Sequence, residues 1–471
     1  MLQQNPGGQS MTDQFSEAAE PAEGIHGLDG RTVDAIRIAV AAGDTERLGR
    51  LLAPLHAADI ADLLEQVDSH RRREILYLGA RFFDGEILSE LDEGLREEVI
   101  SFLPREVLAE AVRELESDDV VDLVEDLEEP QQAAILEALE DADRVAVEQS
   151  LAYPEFSAGR LMQREVVTAP EHWSVGDAID HIRAHKTVMP EQFYHVIVVD
   201  PKMKPVGYVT LGKILSTSRS VPLREVFEDS FRTIRATERE AEVAYVFNQY
   251  HLISAPVVDE DGRLAGVITI DDAMTVLDEE HEEDILRLAG VGESSLSDRV
   301  IETTRQRLPW LGVNLVTAIL ASLVIAQFED TIAQFVALAV LMPIVASMGG
   351  NAGTQSLTVA VRAIATKDLT GSNVWRVVRR EALVGLANGL VFALVMGVVG
   401  LAWFGTPALG GVIAAAMVIN LVIAGLAGIL VPVALDKLGI DPALASGAFV
   451  TTVTDVVGFF AFLGLAGAIL L

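Results

Sequence analysis

The chain has 471 residues, enough for two or three domains, and no cysteine, which excludes disulfides, thiolate metal sites and thiol catalysis. Its formal net charge of −35 makes nucleic acid an unfavourable partner, because such a surface repels phosphate, and makes cations the natural counter-species. The excess is uneven: from Ile301 onward there are eight acids and eight bases, so the other 62 acids and 27 bases fall in residues 1–300.

Residues 1–28 mix Gln, Gly, Ser, Glu and Pro and read as a disordered tail. No basic segment followed by an apolar core opens the chain, so no cleaved signal peptide is expected. Residues 29–158 carry Leu, Ile and Val at three- and four-residue spacing among acids, which predicts an all-helical domain. It contains a repeat. Asp59-Ile60-Ala61-Asp62-Leu63-Leu64-Glu65 returns 60 residues later as Asp119-Val120-Val121-Asp122-Leu123-Val124-Glu125, and Ile75-Leu76 returns as Ile135-Leu136. Stacked helix pairs in a superhelix follow from that period.

Residues 159–276 change to mixed strand and helix and are duplicated as 159–218 and 219–276. Val198-Val199-Asp200, Gly207 and Thr210 recur at an offset of 59 as Val257-Val258-Asp259, Gly266 and Thr269. Each half ends in a hairpin and a helix, with Asp259-Glu260-Asp261-Gly262 as the second turn. With Gly266-Val267-Ile268-Thr269-Ile270-Asp271-Asp272, this repeat resembles a CBS-domain pair, an α/β regulatory module. The resemblance implies an adenine-nucleotide site of Gly266, Thr269 and Asp272, with ATP as an optional regulatory ligand. Lys213 stands where the first half would need its acid, so a pair that binds no nucleotide stays open.

Residues 277–308 link the pair to the apolar half through an acidic helix bearing Asp278, Glu279, Glu280, Glu282, Glu283 and Asp284. His281-Glu282-Glu283 lacks the second histidine of a zinc-protease motif. From 309 to 471 the composition turns apolar. Trp310–Phe328, Ile332–Ser347, Ala382–Phe404, Val412–Leu435 and Ala443–Leu471 supply five stretches near the roughly 20 residues a bilayer requires. Arg305, Arg307, Arg362, Lys367, Arg376, Arg379, Arg380 and Lys437 all fall on one side of such a bundle. The positive-inside rule puts the N-terminus in the cytoplasm and the C-terminus outside.

Two features of these spans carry chemistry. Asp455 is the only acid deep in the last stretch, and Gly447, Thr451, Thr454 and Gly458 share its helical face. A carboxylate there faces a water-filled path, or it serves as hydrogen-bonding glue in a small-residue seam. Met342-Pro343 and Gly349-Gly350-Asn351-Ala352-Gly353 predict a second span that is broken or loosened, exposing carbonyls to a cation, or a helix that simply ends there.

The order of these parts resembles the MgtE family of magnesium channels and transporters. The most specific stretches are Met342-Pro343 with Gly349-Gly350-Asn351, and Asp441-Pro442-Ala443-Leu444-Ala445-Ser446-Gly447 leading to Thr451-Thr452-Val453-Thr454-Asp455. The resemblance implies a homodimer in the cell (inner) membrane and Asp455 as pore metal ligand, with Gly350, Asn351, Thr451 and Thr454 lining the path. It further implies closure by cytoplasmic Mg²⁺ on Asp272, Glu280, Glu283 and Asp284, and on Glu86, Asp118 and Asp122 of the helical domain. Thr275 replaces an acid expected one turn after Asp272. Two rivals stand: another divalent ion such as Mn²⁺ or Co²⁺, or a membrane-anchored metal or nucleotide receptor without transport. An enzyme lacks any nucleophile–base set, and no histidine follows His281.

Overall fold

The computed structural model describes residues 28–471 apart from 126, 128, 187, 188, 191 and 292–299. The expected tail, and part of the link between 277 and 308, therefore lie outside the described residues. The chain divides into two compact units, one of residues 1–240 with 252–270 and one of 241–251 with 271–471.

The first unit opens with helices α1 (Gly30–Ala41), α2 (Thr45–Leu52), α3 (Ala57–Glu65), α4 (Ser69–Gly79) and α5 (Glu86–Ser89). They are followed by α6 (Glu93–Phe102), α7 (Arg105–Glu114), α8 (Ser117–Glu125), α9 (Glu129–Ala138) and α10 (Asp141–Leu151). Short polar caps separate them. Asp44 accepts from Arg47 N at 2.9 Å to start α2, and His56 with Asp59 forms a reciprocal cap on α3. The repeat shows in the burial. Ile60, Ala61, Leu63 and Leu64 of α3 are buried, and so are Val120, Val121, Leu123 and Val124 of α8. Each such buried Ile, Leu or Val side chain stabilises the stack by about 1.5–3 kcal/mol.

Three arginines close the stack from within, each satisfying the carbonyls left free at a helix C-terminus. Arg72 donates to Leu64 O (2.8 Å) and Val67 O (3.0 Å) after α3. Arg96 donates to Ser89 O (3.0 Å) and Leu91 O (2.9 Å) after α5. Arg160 donates to Leu151 O (3.2 Å) and Tyr153 O (2.9 Å) after α10. Each also holds a carboxylate, Glu98, Asp122 and Glu125 respectively.

After α11 (Ala158–Leu161) come two three-stranded sheets. The first has β1 (Thr168–Pro170), β2 (His195–Val199) and β3 (Pro205–Thr210), flanked in sequence by α12 (Val175–Ala184) and α13 (Leu211–Ser216). The second has β4 (Ile234–Arg235), β5 (Ser254–Val258) and β6 (Leu264–Thr269). In each, the first strand pairs parallel with the central strand, which forms an antiparallel hairpin with the third. The register shifts at Val198/Val199 and again at Val257/Val258, 59 residues on. The hairpin turns match as well: Gly262 has φ +75°, and Met203, 59 residues earlier, holds φ +62°. Gly207 and Gly266 are glycine for packing. A Cβ would stand 2.7 Å from Glu228 O at the first and 2.6 Å from Gln163 O at the second.

The second unit contains α14 (Glu240–Tyr250) from Ala241 and α15 (Ile270–Leu288) from Asp271, then α16 (Val300–Ala326), α17 (Glu329–Gln334), α18 (Ala337–Ala365), α19 (Val374–Phe404), α20 (Pro407–Lys437) and α21 (Pro442–Leu470). Among the described residues five helices are long and apolar enough to cross a membrane: Thr303–Ala326, Ala337–Ala365, Val374–Phe404, Pro407–Lys437 and Gly447–Leu470. α20 is central and packs on α18, α19 and α21. Glycines allow the approach: Gly385 and Gly389 of α19 lie against the backbone of Leu421 and Val418.

The second span corrects the expectation of a break. α18 runs unbroken from Ala337 to Ala365 through Pro343 and the glycines. Helix propensity loses to packing here. Gly349 is pressed against Asn420 of α20, and Gly353 against Val450 and Thr454 of α21. The carbonyls near Asn351 are thus part of a regular helix rather than freed for a cation.

Candidate cation pathway and regulatory carboxylates

On α21 the small, polar stripe divides in two. Thr454 is wholly buried, its hydroxyl donating to Thr451 O at 3.0 Å and its methyl toward Gly353. Gly458 is buried as well. Thr451 and Asp455, one position on along the helix, are half-buried and flank that contact. On α18 the residues beside Gly353 are exposed: Asn351, Thr354, Gln355 and Thr358 form a polar strip on a membrane helix. Thr354 and Thr358 back-bond to Gly350 O (2.9 Å) and Thr354 O (3.0 Å), which leaves the amides of Asn351 and Gln355 on the surface. Gly350 is half-buried beside them.

The regulatory candidates fall into two groups. At the end of α15, Arg287 binds Glu283 through Nη2 at 2.6 Å and Asp441 through Nη1 at 3.2 Å. Asp441 is the N-cap of α21, accepting from Ala443 N at 2.8 Å. Asp284 is half-buried beside them. Burial raises its carboxyl above the ordinary range, the charges of Asp441 and Glu280 raise it further, and Arg287 and His281 oppose. Asp272 sits in the first turn of the same helix. The backbone of α15 thus brings Glu280, Glu283 and Asp284 to the start of the last span, where Leu288 packs with Leu357, Ala443 and Val450.

In the helical stack, Asp122 is engaged by Arg96 at 2.7 Å, and Asp118 accepts from Asp119 N at 3.1 Å at the start of α8. Glu86 is exposed in the first turn of α5. Among the described residues no three histidine, aspartate or glutamate side chains converge closely enough to hold a metal ion. Gly266 is buried on β6, and Thr269 lines a small cleft with Phe193, Tyr194, His195 and Ser254. There His195 Nδ1 and Ser254 Oγ, at positions 59 residues apart, lie within 2.5 Å.

Three residues of this geometry were not among the site residues expected from sequence. Asp441 was legible as a helix cap, since Asp before Pro442 is an N-terminal signal. Arg287 was legible as the i+4 partner of Glu283. Asn420, an amide alone in an apolar span, carried a signal of its own.

A helical stack, two CBS-like sheets and five bilayer-length helices make this a multi-pass membrane protein with a large soluble half. Residues 342–465 match the MgtE divalent cation transporter family, residues 55–156 the MgtE intracellular N domain, and residues 158–220 and 223–279 the CBS domain. The chain is 33% identical to the magnesium transporter MgtE of Enterococcus faecalis over 319 residues, 68% of this chain and 70% of that one. It is 31% identical to the magnesium transporter MgtE of Bacillus subtilis over 317 residues, 67% and 70% of the two chains. A crystal structure of the cytosolic domain of the Mg²⁺ channel MgtE in complex with ATP aligns with 28% identity and a TM-score of 0.48, covering 52% of this chain and 99% of that one. The chain belongs to the MgtE family. It is a membrane transport protein with an intracellular N domain, not an enzyme.

Proposed function

We propose that the chain conducts Mg²⁺ into the cell through a homodimeric pore in the cell (inner) membrane, and that cytoplasmic Mg²⁺ closes it. One observation carries the reading: a single carboxylate, Asp455, half-buried on the last span beside the contact with α18. A lone acid in a bundle is expensive unless it faces water or a cation. Mg²⁺ sheds water reluctantly and is held by one or two carboxylates with waters between. Two Asp455 side chains across a two-fold axis meet that requirement, and the absence of His and Cys from the spans favours a hard ion. The exposed strip of Asn351, Thr354, Gln355 and Thr358 supports the dimer, because such groups need water or a second copy rather than lipid.

Closure rests on the carboxylates at the end of α15. With little Mg²⁺, Glu280, Glu283, Asp284 and Asp441 repel one another, offset in part by Arg287, which pairs with Glu283 and Asp441. Mg²⁺ bridging them draws α15 onto the start of α21, and closes the pore only by binding that state more tightly. Asp272, Glu86, Asp118 and Asp122 extend the same role to the soluble half, and Gly266, Thr269 and Asp272 remain the nucleotide candidates. The C-terminus then lies outside.

The test is Mg²⁺ uptake into liposomes holding the purified protein, with low Mg²⁺ on the cytoplasmic face, for wild type and Asp455→Asn. Uptake lost in the variant supports the pathway. A folded wild type that responds to Mg²⁺ yet transports none would return the receptor reading.

A further inference from the structure

The second unit wholly buries an amide, Asn420, that the pathway above does not use. Asn420 stands in the middle of α20, the helix that packs on α18, α19 and α21, and none of its surface is exposed. Its Nδ2 donates to the backbone carbonyl of Val345 at 2.8 Å. Its Oδ1 is buried with no hydrogen-bond partner. Glycines face the amide from both sides: a methyl on Gly458 of α21 would stand 2.9 Å from Nδ2 and 3.0 Å from Oδ1, and one on Gly349 of α18 would overlap it. A small apolar side chain would leave no buried acceptor unpaired, so the unpaired Oδ1 is a cost that hydrogen bonding alone does not require.

Position does account for it. Val345 lies on α18 two residues after Pro343, and the amide ties that turn of α18 to α20. Gly458 lies three residues after Asp455, on the next turn of α21. One side chain therefore stands between Gly458, on the turn after Asp455, and Gly349, which precedes Gly350 and Asn351 on α18. We propose that Asn420 is a positioning residue for the ion pathway, setting the spacing of α18 and α21. The inference rests on the transport reading. An ion held through an ordered shell of waters requires a fixed spacing of its outer ligands, so a change in spacing alters discrimination between ions as well as rate.

The experiment measures Mg²⁺ and Ca²⁺ uptake into liposomes by the full chain with Asn420→Leu, Asn420→Ser, Gly458→Ala and the pair Asn420→Ala with Gly458→Ala. Elution on size exclusion confirms that each is folded, and Asn420→Ser stands in where Asn420→Leu does not fold. The expected result is Mg²⁺ uptake reduced about tenfold, or a Mg²⁺/Ca²⁺ ratio shifted about fivefold, in folded Asn420 and Gly458 single variants. The double variant, which restores room for the methyl, regains part of the loss over Gly458→Ala. Folded single variants that match wild type in rate and ratio overturn the inference and leave the transport reading standing. A wild type without uptake overturns both.

Discussion

Arg287 bridges two elements that lie 154 residues apart in sequence: its guanidinium meets the carboxylate of Asp441, the cap of the last span, at 3.2 Å, while its other nitrogen holds Glu283 at 2.6 Å. An arginine thus occupies the charge centre where the proposed regulatory cation would act. Arg287→Gln leaves Glu280, Glu283, Asp284 and Asp441 without that counter-charge. Cytoplasmic Mg²⁺ should then close the pore at a lower concentration, by about three- to tenfold, the scale of one partly exposed charge pair of about 1 kcal/mol. The half-closing Mg²⁺ concentration in a flux assay checks this, and a shift to higher concentration would sink the bridging role.

Asp284 predicts a pH dependence. Burial first, then Asp441 and Glu280, hold its carboxyl above the ordinary value. A raised acid contributes stability that is fully present below its unfolded pKa and lost as pH rises through the folded one. Without Mg²⁺, the contact of α15 with α21 is therefore tighter in acid and loosens toward neutral pH. Mg²⁺ compensates the ionised carboxylate, so the rise in melting temperature on adding Mg²⁺ should be larger near pH ~7.5 than near pH ~5. Asp284→Asn should flatten that difference, which a thermal melt at both pH values reads directly.

Arg72 is buried and serves three acceptors: Leu64 O, Val67 O and the Glu98 carboxylate. Arg72→Ala leaves two helix-end carbonyls and a carboxylate without it. The cost should be about 3 kcal/mol, because a buried pair is broken on one side. Urea unfolding of the purified helical domain, or limited proteolysis of the full chain, measures it. A loss well under 1 kcal/mol would mean water replaces the guanidinium.

Glycines on α19 and α20 separate packing from propensity. A Cβ on Gly385 would stand 2.5 Å from Leu421 O, whereas one on Gly411 meets nothing within 4 Å. Gly385→Ala should destabilise the detergent-solubilised protein by about 1–3 kcal/mol. Gly411→Ala should be neutral or stabilising by up to about 1 kcal/mol, since alanine is the better helix former. Equal melting temperatures for the two variants would contradict the close approach of α19 to α20.

Much of the architecture was legible because it is periodic. Runs of about 20 apolar residues argue for spans, and a period of 59 with β-branched runs argues for one α/β unit repeated. The register shift after Val198 and again after Val257 is that repeat written in backbone. Site residues were less legible where side chains compete for partners. Nothing in the sequence pairs Asp122 with Arg96, which holds it from α6 at 2.7 Å. Thr454 reads as a neighbour of Asp455 on one face, yet it turns fully into the seam against Gly353.

The sequence by itself determined the order of the parts, the location of the charge excess in residues 1–300 and the one carboxylate deep in the last span. These follow from composition and local period, which no distant contact alters. Tertiary structure alone decided that α18 continues through Pro343 and three glycines, that Arg287 meets Asp441, and that Asn420 lies between Gly349 and Gly458. Each depends on which helices come into contact, and close packing in the bundle outweighs the roughly 1 kcal/mol that a glycine costs a helix.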